Sequence, residues 1–232
     1  MTNCIIIPAQ LQSKRLARKL LLTKTGKPLI QHTWENCLQV PDVNVFIATD
    51  DKEIKDVCES FGADVYYDST PASCGTERVV NTALIKDCEV VVNVQGEWPN
   101  INPQSIYELV VKIESYHTPT MGSLFYRGLP IENENIVKVV LGNYNRALYF
   151  SRANIPHNSP ELCYHVGIYA LNKRMMKFYN TLKPLNMCLA SENLEQLRVL
   201  ADNFPILMNE TTPTFGIDTQ EAYDLFVDNI QL

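Results

Sequence analysis

The chain has no CxxC pair, no GxxxxGK[ST] loop and no GxGxxG fingerprint. The last two absences argue against P-loop chemistry and against dinucleotide binding of the usual kind. Its seven cysteines (Cys4, Cys37, Cys58, Cys74, Cys88, Cys163 and Cys188) are odd in number and mostly sit inside apolar patterns. A zinc site or a disulfide framework is therefore not expected, and reduced thiols in a cytosol are. No apolar run approaches the length that spans a bilayer. The opening MTNCIIIPAQ is too short in its apolar part, and has no basic leader, for a signal peptide. These features lead us to expect a soluble cytoplasmic protein with no membrane insertion. Positive charge is also scarce: 20 Lys and Arg stand against 26 Asp and Glu, for a formal charge of -6. Broad electrostatic attraction to nucleic acid is not expected, so a bound anion must be met by a local basic cluster.

What is present reads as α/β. At 232 residues and 46% hydrophobic, the chain fits one domain with a real core. Asn3–Pro8 is a first buried strand. After it, Ala9–Lys27 carries Lys14, Arg15, Arg18, Lys19, Lys24 and Lys27 and no acid at all. Six cations at the carboxyl edge of strand one, in an acidic protein, point to phosphate. Pro28 opens a helix whose expected apolar face is Ile30, Trp34 and Leu38. Asn44–Ala48 is the second strand, and Thr49–Asp51 can cap a helix over Lys52–Phe61. A third strand covers Asp64–Tyr67, a helix Glu77–Lys86, and a buried strand the valines before Glu97. This alternation predicts a mostly parallel central sheet. Beyond a helix at Pro103–Ser115 and a strand at Thr120–Tyr126, short aromatic strands at Ile136–Leu141, Ala147–Phe150 and Tyr164–Ala170 suggest a small antiparallel subdomain. Helices are expected at Ser191–Asn203 and Thr219–Gln231.

The fourth strand, EVVVNVQGEWP (89–99), ends in Gln95, Gly96 and Glu97. Ligands of open α/β sheets sit outside the carboxyl ends of strands, and a carboxylate delivered there can hold a divalent cation. A second carboxylate, Asp218, follows a glycine late in the chain. Cations for a triphosphate together with carboxylate-bound Mg²⁺ suit nucleotidyl transfer.

At this point a family becomes visible. IIIPA (5–9) with SKRL and Lys19, GKPLIQH (26–32), ATDD (48–51), GTER (75–78), VNVQG (92–96), VKVV (137–140), ALYFSRANIP (147–156), HVGIYA (165–170), LEQLRVL (194–200) and GIDT (216–219) run nearly end to end. The chain resembles the 3-deoxy-manno-octulosonate (Kdo) cytidylyltransferases, or CMP-Kdo synthetases. The resemblance implies a Rossmann-like nucleotidyltransferase fold in a single domain, 1–232, with about 130–190 forming a sugar-binding and dimerisation subdomain. It also implies that CTP and an acidic sugar give a CMP-sugar and pyrophosphate, with Mg²⁺, in a cytoplasmic homodimer of lipopolysaccharide biosynthesis.

By position, the resemblance implies that Arg15 and Lys19 bind the triphosphate and that Pro8, Ala9, Gln10, Cys74, Gly75, Thr76 and Arg78 line the nucleotide. It implies that Gln95, Arg152, His165, Tyr169, Glu195 and Gln196 line the sugar, and that Glu97 and Asp218 hold metal. Arg152 is the natural partner of the sugar carboxylate, because a guanidinium can bind it bidentately. Arg15, Lys19, Glu97 and Asp218 are the expected catalytic set.

The chain also departs from the family pattern. Gln10 replaces an arginine, Ala17–Arg18 a Pro-Gly, Leu20 a proline, and Ala72 a histidine; Leu189 stands where an acid is usual, and GEWP replaces GDEP. Arg18 is expected to restore part of the lost charge. Three readings stay open: an active CMP-Kdo synthetase, an enzyme for a modified sugar such as the 8-amino analogue of Kdo, and a homologue that binds nucleotide or sugar without catalysis.

Overall fold

The computed structural model describes residues 2–13, 15–70, 72, 74–183 and 185–230, apart from the side chain of Cys188. Lys14 and Gln231 lie outside them. In chain order the elements are β1 (Asn3–Ala9), α1 (Leu29–Cys37), β2 (Val43–Thr49), α2 (Lys52–Ser60), β3 (Asp64–Tyr67), α3 (Gly75–Ile85) and β4 (Val90–Asn93). They continue with α4 (Pro103–Glu114), β5 (Met121–Gly128), β6 (Lys138–Leu141), β7 (Ala147–Ser151), β8 (Leu162–Asn172), α5 (Lys173–Tyr179), α6 (Met187–Ala190), α7 (Leu197–Ala201), β9 (Ile206–Glu210) and α8 (Gln220–Ile230). The chain divides into two compact units, Met1–Gln104 with Thr214–Leu232, and Ser105–Pro213.

In the first unit the strands lie in the order β3-β2-β1-β4, all parallel. Ile5, Ile6 and Ile7 of β1 and Val91 and Val92 of β4 have no exposed surface, as the unbroken β-branched runs require of strands covered on both faces. Asp51 caps α2, accepting a hydrogen bond from Ile54 N at 3.0 Å. Pro28 precedes α1 as expected, but the buried face of that helix is Leu29, Ile30, Thr33 and Cys37. Leu38 is 53% exposed and caps the helix, and Trp34 is half-buried against Phe61. The expected apolar face was thus rotated, because the Thr33 hydroxyl is drawn inward to donate to Gly96 O at 2.7 Å.

The thiol expectation also needs correction. Cys4 and Cys88 form a disulfide, their Cα atoms 6.1 Å apart. Parallel pairing of β1 with β4 sets Cys4 opposite Val91 and brings the start of β4 beside it. Free Cys37 and Cys58 are buried, which pushes both thiols up to about 12.

Helix α8 fixes the basic loop between β1 and α1. Tyr223, Phe226 and Val227 pack with Leu16, Leu29 and Ile217 in one apolar cluster. The Tyr223 hydroxyl accepts from Lys24 N at 2.9 Å, and Lys24 pairs with Asp224 at 2.6 Å.

In the second unit β5 lies between β8, to which it is antiparallel, and β9, to which it is parallel. β6 pairs antiparallel with β7 along its length and meets β8 at Lys138 opposite Tyr164. Phe125, Phe150, Tyr164, Met175, Met176 and Tyr179 fill the core. The helix expected over Ser191–Asn203 is much shorter. α6 ends before it, Asn193 takes a left-handed φ of 52°, and only Leu197–Ala201 is α-helical. Asparagine tolerates that conformation, which ends the helical path although Leu194, Leu197 and Leu200 keep helical spacing. The aromatic strands of 130–190 all fall inside this unit.

Candidate active site

In the first unit, the carboxyl ends of β1 and β4 lie side by side, and Val94 N donates to Ile6 O at 3.3 Å. From there the chain passes through Gln95 and Gly96 to Glu97, whose carbonyl accepts from Ile217 N at 2.9 Å. That one backbone bond sets Asp218 next to Glu97. Lys19 Nζ lies 3.0 Å from Glu97 Oε1 and 2.7 Å from Asp218 Oδ1, and Arg15 Nη2 lies 2.9 Å from Asp218 Oδ2. Burial works against the Lys19 ammonium, but the two carboxylates outweigh it and hold its pKa above the usual value.

Leu20, the residue in place of the family proline, is buried against Gly96: a Cβ there would come within 2.8 Å of Leu20 Cδ2. Trp98 lies flat against Gly216, where an added Cβ would meet the indole at 3.3 Å. The indole therefore supports the backbone that leads to Asp218, and the ammonium of Lys19 sits between the carboxylates.

A cavity of about 160 Å³ opens at this edge, lined by Pro8, Gln10, Gln12, Ser13, Lys19, Leu20, Gly75, Gln95 and Glu97. Gly75 lies against Gln95 and Pro8, the side chains being 3.4 and 3.5 Å from where its Cβ would stand. Gln95 Nε2 donates to Asn93 Oδ1 at 2.9 Å, and Asn93 Nδ2 donates to Thr76 Oγ1 at 2.8 Å. Ala9 and Thr76 are fully buried, and Cys74 precedes α3 in extended backbone. Arg78 is 5% exposed and turned into the protein, with Nη2 2.5 Å from Asp50 Oδ2 and Nη1 on Asp68 O at 3.2 Å. Arg18 does not substitute for the charge lost at Gln10. It takes a left-handed φ of 53°, and its guanidinium pairs with Glu53 on α2.

The second unit holds the other residues named for the sugar. Gln196, 2% exposed, accepts from the Tyr169 hydroxyl at 3.1 Å, and its Nε2 is buried with no hydrogen-bond partner among the described residues. A buried amide donor without a partner is costly, and a ligand oxygen removes the cost. His165 Nε2 meets Ser123 Oγ at 2.9 Å, and its ring packs edge-on against Phe150. Burial pushes its pKa down to about 3, so the imidazole is neutral at physiological pH. Glu195 is half-buried, one position before Gln196. Arg152 follows β7, with Nε on Glu192 O at 3.1 Å and Nη1 on Glu134 O at 3.0 Å. Among the described residues no carboxylate side chain pairs with its guanidinium. One residue of this neighbourhood, Lys138 inside the VKVV block, was not assigned from sequence; in the first unit the same holds for Asp50, inside ATDD.

The profile of a family described as cytidylyltransferase matches residues 4–210. The chain belongs to the cytidylyltransferase family. A 3-deoxy-manno-octulosonate cytidylyltransferase of Chlorobium limicola is 38% identical over 97% of this chain and 96% of its own. A 3-deoxy-manno-octulosonate cytidylyltransferase 2 of Actinobacillus pleuropneumoniae serotype 5b is 39% identical over 94% of each. A solved structure of CMP:2-keto-3-deoxy-manno-octonic acid synthetase complexed with CTP superposes at a TM-score of 0.92 with 31% identity, covering 100% of this cytidylyltransferase chain and 99% of its own. Among the described residues, no helix is long and apolar enough to cross a membrane.

Also among the described residues, no three His, Cys, Asp or Glu side chains gather as a metal site. The Glu97 and Asp218 oxygens nevertheless converge on a single point, now held by Lys19 Nζ. Two carboxylates are a fitting protein share for Mg²⁺, which keeps several waters and takes its other ligands from substrate phosphates.

Proposed function

We propose that this cytidylyltransferase couples CTP to 3-deoxy-manno-octulosonate, releasing pyrophosphate. The observation that carries the reading is the convergence of Glu97, Asp218, Lys19 and Arg15 at the carboxyl edge of β1 and β4. The names of the relatives and the CTP of the structural neighbour support it. In this reading the anomeric hydroxyl oxygen bonds to the α-phosphorus, the bond to the bridging oxygen breaks, pyrophosphate leaves, and the hydroxyl proton goes to water. Arg15 and Lys19 turn from Asp218 to the phosphates, which replaces carboxylate by phosphate at the same cations. Glu97 and Asp218 are left to hold Mg²⁺, which when bound supplies positive charge beside the reacting phosphate. Gln196 offers its unpartnered Nε2 to a sugar oxygen. Tyr169, which donates to Gln196, and neutral His165, packed against Tyr169, stand beside it, and Arg152 takes the sugar carboxylate. Cytoplasmic location, a homodimer and a role in lipopolysaccharide assembly belong to the same proposal.

The space between Glu97 and Asp218 is taken by the Lys19 ammonium, while the Trp98 indole packs on Gly216, which favours catalysis over a binding role. Pyrophosphate release from CTP and Mg²⁺, measured with Kdo, its 8-amino analogue and a sialic-type nonulosonic acid, tests the reading. Release with Kdo, abolished in a folded Asp218→Asn variant, is expected. No release with any acceptor, or full activity in Asp218→Asn, overturns it.

A further inference from the structure

Arg152 stands just past the end of β7, where no strand ladder holds its backbone. Two ions of opposite charge hold it instead. Its N–H donates to Glu192 Oε2 at 2.9 Å, and its carbonyl accepts from Lys138 Nζ at 2.8 Å. Glu192 also accepts from Ser151 Oγ at 2.6 Å, fixing the preceding residue. Lys138 Nζ donates a second bond, at 2.8 Å, to Asn133 O, the residue before the one whose carbonyl holds Arg152 Nη1. The same two side chains therefore fix the backbone of Arg152, while the main-chain carbonyls of Glu192 and of Glu134, next to Asn133, hold its guanidinium. Nη2 is left without a hydrogen bond among the described residues.

This arrangement is expensive as a mere clip. Lys138 is 1% exposed, and its ammonium is satisfied by two carbonyls, with no carboxylate within ion-pair distance among the described residues. Burial holds the ammonium's pKa below the usual value and outweighs Glu132 and Glu134, which oppose its charge from beyond ion-pair distance, so the cation costs free energy that a neutral donor would avoid. What the charge gives in return is short, strong, directional bonds at a guanidinium that must meet a planar anion in a fixed orientation.

We propose that Lys138 and Glu192 are positioning residues that hold Arg152 in register for the carboxylate of the acidic sugar. The inference rests on the assignment of Arg152 above. Neither side chain touches the sugar; each acts through the Arg152 backbone, one from β6 and one from the turn after α6.

Steady-state kinetics with Kdo and CTP on wild type, Lys138→Met, Glu192→Ala and Arg152→Ala tests it. Misplacement of a binding group by about an ångström can cost up to about a hundredfold, so the Michaelis constant for the sugar should rise about tenfold or more in each variant. That for CTP should stay within about twofold, because the nucleotide contacts are untouched. Loss of packing alone lowers stability and turnover without separating the two constants. A normal sugar constant in Lys138→Met and Glu192→Ala, beside a raised one in Arg152→Ala, overturns the positioning role and spares Arg152. An unchanged constant in Arg152→Ala overturns its assignment and this inference together. If Lys138→Met does not fold, Glu192→Ala decides alone, since Glu192 is only half-buried.

Discussion

Replacing Lys19 by methionine keeps the length of the side chain and removes the charge that both carboxylates share. The ammonium is 3.0 Å from Glu97 and 2.7 Å from Asp218, and the Lys19 and Glu97 side chains are only 13% and 18% exposed. Asp218 retains Arg15 at 2.9 Å, whereas Glu97 loses its one cation among the described residues. An ion pair at 4 Å is worth about 4 kcal/mol at an effective dielectric of about 20, before desolvation is counted. Breaking a buried pair by removing one partner typically costs about 3–5 kcal/mol. Asp218 is about a third exposed, which places Lys19→Met at the lower end, about 3 kcal/mol. For a chain of this size that is a fall in Tm of about 6–12 °C. Magnesium without nucleotide should then discriminate between the two proteins. With a Kd of about 1 mM, 10 mM Mg²⁺ returns about 1.4 kcal/mol, or about 3–6 °C, to the variant. Wild type should gain less than about 1 °C, because Lys19 already occupies the same oxygens. Differential scanning calorimetry with NaCl of equal ionic strength as the control measures both effects. An equal magnesium shift in the two proteins, or no loss of Tm in Lys19→Met, refutes the view that the lysine and a divalent cation compete for Glu97 and Asp218.

The parts of this molecule that sequence could reveal are those encoded locally. Unbroken runs such as Cys4–Ile7 and Val90–Val92 announce buried parallel strands, and Thr49–Asp51 announces the cap of α2, because each rests on a few consecutive residues. The six-cation loop and the carboxylate after β4 were legible for the same reason, and the structure brings Arg15, Lys19, Glu97 and Asp218 within ion-pair distance. What stayed hidden depends on partners far along the chain. The Cys4–Cys88 link follows from the register of β1 on β4, which no cysteine spacing shows. Arg18 looked like a phosphate ligand until its left-handed backbone and Glu53 turned it aside. Thr33 lies off the face expected from Ile30, Trp34 and Leu38, yet it is buried, its hydroxyl donating to the Gly96 carbonyl. Strand β9 passed unnoticed because PILMNE is short and its burial comes only from pairing with β5. Lys138 and Glu192 could have been suspected only as charges with no obvious surface role.

Gly96→Ala would press a methyl to 2.8 Å from buried Leu20 and shift the loop that carries Lys19. A loss of about 1–3 kcal/mol in urea unfolding, with a raised Michaelis constant for CTP, is expected, and Leu20→Ala should restore much of it. An unaltered Gly96→Ala protein would mean that the contact does not hold the loop. His165 sets a pH dependence whose sign follows from burial. Its pKa is pushed down to about 3 in the fold, against 6.5 for the free side chain. Below pH 6.5 the unfolded chain takes up a proton that the folded chain refuses, so stability is fully present above 6.5 and falls as pH drops toward 3. The slope from this one residue approaches about 1.4 kcal/mol per pH unit. Urea midpoints between pH 7 and pH 4 should therefore fall less steeply in His165→Gln than in wild type, and parallel curves would show that the imidazole is protonated within the folded protein.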